Sequence, residues 1–325
     1  MTHRLLSMTV VLALIPVSLV PGCARREPLR IGLNAFPTYE FLYLAGEKGF
    51  YRDEGLDARV LEFESLSDTR RAYERGQLDV MGGTVIEALV VRDQSERSPQ
   101  IVRVIDYSHG ADVLLAQPWI TSGASLRGAR VGVELATLPV YVLGRGLETL
   151  GLRMADVRTS STDQATMDAA FRRGDLDALV TYPPTSIALT RDLRTHTLFT
   201  SADLPGEILD LILVEAETVR TRGADVAAML RAFDRARQYT REHPEDAHAI
   251  MARREGLTTA EFATALADGL VLVDAGEQAR YFGDGGRLPG IIDRAERVLR
   301  DAAQLSRPPR TDNLVSRAFI GRGAR

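Results

Sequence analysis

The chain carries the same short string twice. AYERGQLDV (Ala72 to Val80) and AFRRGDLDA (Ala170 to Ala178) agree at the alanine, the aromatic, the arginine, the glycine, the leucine and the final aspartate. Each reads as a last helical turn, a glycine that closes it in the left-handed region, and a short apolar strand. A helix of suitable spacing lies in front of each, Leu66 to Arg75 and Gln164 to Arg173. The first copy is preceded by LRIGLN (Leu29 to Asn34), a helix over Tyr39 to Lys48 and DARVLEF (Asp57 to Phe63). The second is preceded by ARVGVE (Ala129 to Glu134), a helix over Leu138 to Leu150 and ADVRTS (Ala155 to Ser160). Strands alternating with helices predict parallel sheets with helical crossovers, and two copies predict two similar α/β lobes.

Two further apolar runs join those lobes. ADVLLAQ (Ala111 to Gln117) can leave the first, and LDLILVEAE (Leu209 to Glu217) can return to it. After the return the pattern is helical over 224–242, 244–254, 258–270 and 288–305. The expected boundaries are therefore lobe I at 28–114 and 208–305, lobe II at 115–207, and a tail at 306–325. Two crossings between two lobes make a hinged clamp, with ligand held at the carboxyl ends of the strands.

Cys23 is the sole cysteine, so no intramolecular disulfide can form. Met1 to Arg4 supply a basic start, Leu5 to Val20 an apolar run too short to span a bilayer, and Gly22 a small residue before the cysteine. This layout over residues 1–23 resembles a bacterial lipoprotein signal, in which Cys23 is lipidated and becomes the first mature residue. An ordinary signal peptide with an incidental cysteine is the alternative. Some 300 residues remain, enough for one large or two medium domains.

Apolar content of 45%, charged content of 26% and a net charge of −4 describe an ordinary globular chain with no nucleic-acid footprint. The arginines of the tail, among prolines and glycines, predict a flexible segment, with contact to acidic lipid the other reading. No HExxH, GxSxG, phosphate-loop or paired-cysteine pattern occurs, so nothing calls for a metal, a cofactor or a catalytic role.

The strand-end loops supply the candidate ligand-binding residues. Asn34, Phe36, Thr38 and Tyr39 follow the first strand, with helix capping the alternative duty of Thr38. Thr84 and Glu87 follow the repeat strand and share the spacing of a capping box, which leaves structural and ligand roles both open. Gly82 and Gly83 would let a ligand approach the backbone. Asp106, Tyr107, Ser108 and Asp112 group in a loop at the first crossing, where His109 reads as a surface or core residue. In the second lobe Glu134 ends a strand, Thr137 caps the next helix, and Tyr141 lies one turn in. Tyr182 ends the second repeat strand, and Asp210 sits on the return crossing, bound to ligand or to the hinge backbone.

Together, LAGEKGFYRDEGLDARVLEF, RGQLDVMGG, SLRGARVGVE and DLDALVTYPP resemble the periplasmic substrate-binding proteins of the family that includes sulfonate, taurine and thiamine-precursor binders. The resemblance covers roughly 27–305. It implies a type II periplasmic binding protein fold that hands a small solute to an ABC permease and its ATPase, and the signal layout around Cys23 adds the expectation of a periplasmic protein lipid-anchored to the membrane. A sensing module for a membrane signalling protein and an enzyme on the same fold are the alternatives. Glu87, Asp106, Asp112, Glu134 and Asp210 bring acids to the cleft loops with no basic residue among them. That imbalance predicts a neutral or cationic nitrogen-containing ligand, with a thiamine-precursor pyrimidine as one candidate and Asp106 and Glu134 as the principal acids. The helix start at Thr137 leaves room for a carboxylate as well.

Overall fold

The computed structural model describes residues 27–283 and 285–321, so the signal segment and Cys23 lie outside the described residues. Eleven strands form two sheets among the described residues. β1 (Leu29–Asn34), β2 (Ala58–Phe63), β3 (Val80–Gly83), β4 (Pro99–Ser108), β10 (Leu209–Glu215) and β11 (Leu270–Leu272) make the first, in the order β11-β4-β10-β3-β1-β2. β5 (Val113–Ala116), β6 (Arg130–Val133), β7 (Arg158–Ser161), β8 (Ala178–Thr181) and β9 (His196–Thr200) make the second, in the order β7-β6-β8-β5-β9. β1 pairs in parallel with β2 and β3, as β6 does with β7 and β8. The returning β10 runs antiparallel between β3 and β4.

The repeat has a concrete structural meaning. Gly76 and Gly174 take left-handed φ values of 73° and 76°, which let each helix stop and the chain turn into a strand. The aspartate two residues into each strand approach then clamps an arginine on the neighbouring strand. Arg30 donates from Nε and Nη2 to Asp79 at 3.0 and 2.7 Å, and Arg130 does the same to Asp177 at 3.0 and 2.9 Å. Each arginine also donates to the carbonyl of its own glycine, Gly76 or Gly174.

The helix Leu288–Asp301 packs against both Val85–Gln94 of lobe I and Leu138–Thr149 of lobe II. One apolar core therefore runs through both lobes on that side, with Leu143, Leu147, Ile291 and Leu299 buried in it. Each such side chain contributes about 1.5–3 kcal/mol by leaving water. Gly144 permits the close approach, because a Cβ there would stand 2.9 Å from Cγ1 of Val298.

Several boundaries differ from expectation. β4 runs on to Ser108, so Asp106, Tyr107 and Ser108 belong to a strand and not to a loop. β5 begins at Val113 inside the second sheet, which puts the first crossing at 109–112. β9 and β11 are short, lack clear alternation, and were not anticipated; a 3-10 turn over Met154–Asp156 delays β7 to Arg158. The expected flexible tail is instead docked as far as residue 321. Ser306 donates from its amide and hydroxyl to Asp93, the Arg92 guanidinium donates to the carbonyls of Arg310, Asp312 and Asn313, and Leu314 is buried beside the Ile101–Val315 bridge. Composition hid this, because the tail's polar groups and arginines, Arg307 and Arg310 among them, are spent on Asp93 and on backbone carbonyls of the 85–95 segment.

Candidate functional site

The carboxyl ends of β1, β3, β6 and β8 and the two crossings converge between the lobes. There Asn34, Phe36, Tyr39, Leu66, Thr84, Asp112, Leu138, Tyr182 and Asp210 enclose a cavity of only about 10 Å³, room for one water. The clamp is closed. Phe36 forms the apolar wall, with its ring centroid 5.3 Å from that of Tyr39 and 5.8 Å from that of Tyr182 across the cleft. At the mouth a larger cleft of about 250 Å³ reaches Glu64, Gln164, Asp168 and Glu255.

The floor is a pair of acids. Asp106 and Asp210 are register partners on β4 and β10, and both are buried. Thr38 donates to Asp106 Oδ2 at 2.6 Å, and the Tyr39 hydroxyl donates to Asp210 Oδ1 at 2.6 Å. The remaining oxygens, Asp106 Oδ1 and Asp210 Oδ2, have no partner, and a proton retained by Asp210 would let it donate to Asp106. Burial drives both upward, Asp106 to about 7; the Asp112 charge pushes both further up, and the Asp106 charge adds to the rise at Asp210. Asp112 is pushed up to about 6 by burial, with the Ser108 hydroxyl pulling down and the Glu87 charge pushing up.

The hinge is stitched by two serines. Ser108 Oγ lies 2.7 Å from Ser201 Oγ, Ser201 donates its amide to the Asp112 carbonyl, and the Ser108 amide donates to the Ile208 carbonyl. The two crossings therefore hold one another directly.

Across the cleft each lobe supplies a carboxylate to a helix start of the other. Glu87 of lobe I accepts from Thr84 N and Oγ1 in the capping box of its own helix, and its second oxygen accepts from the Leu138 amide at 2.7 Å, where the 138–149 helix of lobe II begins. Glu134 of lobe II accepts from the Ser67 amide at 2.8 Å, in the first turn of the lobe I helix Leu66–Glu74. A third link joins the Ala136 amide to the Gln304 side chain at 2.9 Å, and Ala136 holds φ at 59°, a left-handed value costly for a residue with a Cβ. Burial pushes both Glu87 and Glu134 above the usual carboxylate range, and the donated amides oppose it.

Of the candidates read from sequence, Asn34, Phe36, Tyr39, Thr84, Asp112, Tyr182 and Asp210 line the cavity. Glu87 and Glu134 close it, and Thr38 and Asp106 lie one layer behind. Thr38 does not cap a helix, since its hydroxyl is spent on Asp106. Thr137 makes no side-chain cap either; it donates to the Glu134 carbonyl, and Glu87 serves the helix start in its place. Gly82 meets the Tyr39 ring, 3.0 Å from where its Cβ would stand, and leaves no backbone approach for a ligand. Tyr107 alternates away from Asp106 and packs toward His109. Tyr141 donates to Glu207 at 2.8 Å on the far side of its helix, and Ser108 belongs to the hinge. Sequence reasoning missed Ser67, Gln164, Ser201 and Glu255; the S-x-x-D spacing of Ser65 and Asp68 signalled the helix start at Ser67, and nothing local signalled the others.

A family profile described as NMT1/THI5 like matches residues 37–247. The chain belongs to the NMT1/THI5-like family. A provisionally named binding protein of Brucella abortus (strain 2308) is 24% identical over 304 residues, covering 89% of this chain and 90% of that one. The alkanesulfonate-binding protein SsuA from Xanthomonas axonopodis pv. citri, solved with bound MOPS, superposes with a TM-score of 0.73 at 18% identity, covering 89% of this chain and 98% of that one. A 4-amino-5-hydroxymethyl-2-methylpyrimidine phosphate synthase of Aspergillus parasiticus is 28% identical over 148 residues, 45% of this chain and 42% of that one. The fold of this family member is that of the periplasmic binding proteins. The sheet order β2-β1-β3-β10-β4, with the returning strand inserted beside β4, is its type II form.

Proposed function

We propose that this chain is the extracytoplasmic solute-binding component of an ABC importer, and that its solute is a small, nitrogen-containing molecule, neutral or cationic, rich in hydrogen-bond donors. One observation carries the ligand class. Unsatisfied buried oxygens gather at the cleft from both lobes, among them Asn34 Oδ1, Asp112 Oδ2, Gln164 Oε1 and the Tyr182 hydroxyl on its walls, and Glu134 Oε2, whose charge bears on Tyr182. Four of these five can only accept. A ligand that completes them must donate, and amines, amidines and aminopyrimidines do so. Phe36, Tyr39 and Tyr182 add ring faces for stacking or cation–π contact of ~0.5–2 kcal/mol each.

The pyrimidine-synthase relative favours one other reading, an enzyme on this fold. The residues lining the cavity include neither cysteine nor histidine, the usual nucleophile and base, so the binding role is preferred. A thermal-shift screen of amines, aminopyrimidines, amino acids and sulfonates tests the assignment. A cognate ligand at about 100 times its Kd adds about 2.7 kcal/mol of stability. Glu134→Gln and Asp112→Asn should each weaken that ligand by more than about tenfold, whereas Asp106→Asn, one layer back, should weaken it less. A tight alkanesulfonate ligand indifferent to both would overturn the ligand class. Anchoring through Cys23 is part of the same proposal: Cys23→Ser should abolish metabolic lipid labelling and leave the protein soluble after export.

A further inference from the structure

The loop 134–138 meets lobe I at two helix starts, one from each lobe, and at the Gln304 side chain. The Ser67 amide, in the first turn of a nine-residue helix, is filled by Glu134. The Leu138 amide, opening a twelve-residue helix, is filled by Glu87. Helix starts of this kind bind oxoanions, because several amides and the positive end of the helix point outward together. Here the anion is supplied from within, once by each lobe. The second oxygen of Glu134 is buried and unpartnered, and the Glu134 charge bears on the Tyr182 hydroxyl of the cavity wall, so the cavity beside the helix start already carries uncompensated negative character. Asp112 adds a third carboxylate, and the residues lining the cavity include no lysine or arginine.

We propose that Glu87 and Glu134 determine specificity by acting as built-in anions: they occupy the two helix starts that face the cleft, hold the lobes together without ligand, and exclude sulfonate-, sulfate- and phosphate-type solutes. This rests on the interlobe cleft being the solute site, and it adds the reason one class of solute is refused. An entering oxoanion would find its donors taken and would meet three carboxylates with no cation on the cavity wall to offset them, since Arg191 at the mouth is already paired with Asp192 and Glu261. A donor-bearing ligand meets no such conflict, because the free Glu134 oxygen is available to accept from it. Removing the Glu134 carboxyl frees the Ser67 amide and leaves a space of carboxylate size at a helix start, which is the chemistry an oxoanion needs.

The test is calorimetric titration of the purified protein, its Glu134→Ala variant and its Glu134→Ser variant with sodium sulfate and with methanesulfonate at constant ionic strength, folding being checked by circular dichroism. Wild type should show no binding in the millimolar range, and the variants should gain affinity by at least about tenfold. Glu134→Ser carries the comparison if alanine proves unstable. Sulfate or methanesulfonate binding by wild type overturns the proposal whatever the variants do, and so does a folded variant that gains nothing. The outcomes separate from those of the functional reading. Wild type that binds an amine but whose variants refuse oxoanions loses this proposal alone; variants that gain oxoanions in a protein that binds no nitrogenous solute keep it and cost the functional reading its ligand.

Discussion

The two lobes share one scaffold and differ where they face each other. At the outer end the match is close atom by atom: Arg30 on Asp79 and the Gly76 carbonyl in lobe I, Arg130 on Asp177 and the Gly174 carbonyl in lobe II. The cores repeat as well, since Leu78 fills the space over Gly32 and Leu176 the space over Gly132; a Cβ would stand 2.2 and 2.6 Å from their Cδ1 atoms. At the cleft end the likeness stops. β3 leads through Gly82 and Gly83 into the Thr84–Glu87 capping box, whereas β8 leads into Tyr182 and a pair of prolines. What recurs builds the sheet, and what differs handles the ligand.

The largest effect should come from the leucines. Leu78→Ala should cost about 3–4 kcal/mol, because Leu78 is fully buried in the core that runs through both lobes. Leu176 sits in a small separate cluster with Met167, Phe171 and Leu179, which can collapse more easily, so Leu176→Ala should cost about 2–3 kcal/mol. Urea unfolding of the two variants decides the matter. Equal losses would show that the repeat is symmetric in energy as well as in shape, and separate transitions would show that the lobes unfold independently despite the 288–301 helix.

The scaffold was legible in the sequence because it depends on near neighbours. A glycine stop, an apolar strand and an aspartate at a fixed offset sit within nine residues, twice. The cleft was legible only in part. Strand-end loops led to Asn34, Phe36, Tyr39, Asp112 and Tyr182, but their partners are remote along the chain: Tyr39 meets Asp210 and Ser67 meets Glu134. The Glu87 capping box was legible from its spacing to Thr84, but Glu134 read as an acid awaiting a ligand, and neither acid's link to the other lobe was visible, because sequence shows charge and not the amide 67 or 51 residues away that answers it. Tyr107 and Tyr141 were misplaced for a plainer reason: strand alternation and helix rotation turned each ring from the cleft.

Acidity should separate the cleft from the scaffold next. The Asp106–Asp210 pair has native values raised above the ordinary value near 4, so between about 4 and 7 the native state holds protons that the unfolded chain has lost. The pair's contribution to stability is then complete below pH 4 and is lost as pH rises, by about 1.4 kcal/mol per unit for each proton retained. Asp210→Asn removes one of the two titrating carboxyls, keeps an acceptor for Tyr39, and should flatten that decline. An Asp210→Asn protein whose midpoint still falls as steeply as wild type between pH 5 and 7 would place the protons elsewhere.

The smallest effect concerns the arginine staples, where the likeness of the lobes is greatest and burial differs. The Arg30 side chain is 39% exposed over an Asp79 that is 14% exposed, while Arg130 is 48% exposed over a 21% exposed Asp177. Lysine keeps the charge at either site but cannot donate twice to one carboxylate and once to a carbonyl. Arg30→Lys should therefore cost about 0.5–1 kcal/mol, and Arg130→Lys less, because water competes more freely for its carboxylate. High salt should shrink the Arg130 effect first. If Arg130→Lys proves the more damaging of the two, its guanidinium is holding the β6–β7 edge in register, where β7 is exposed along its whole length and has little packing of its own.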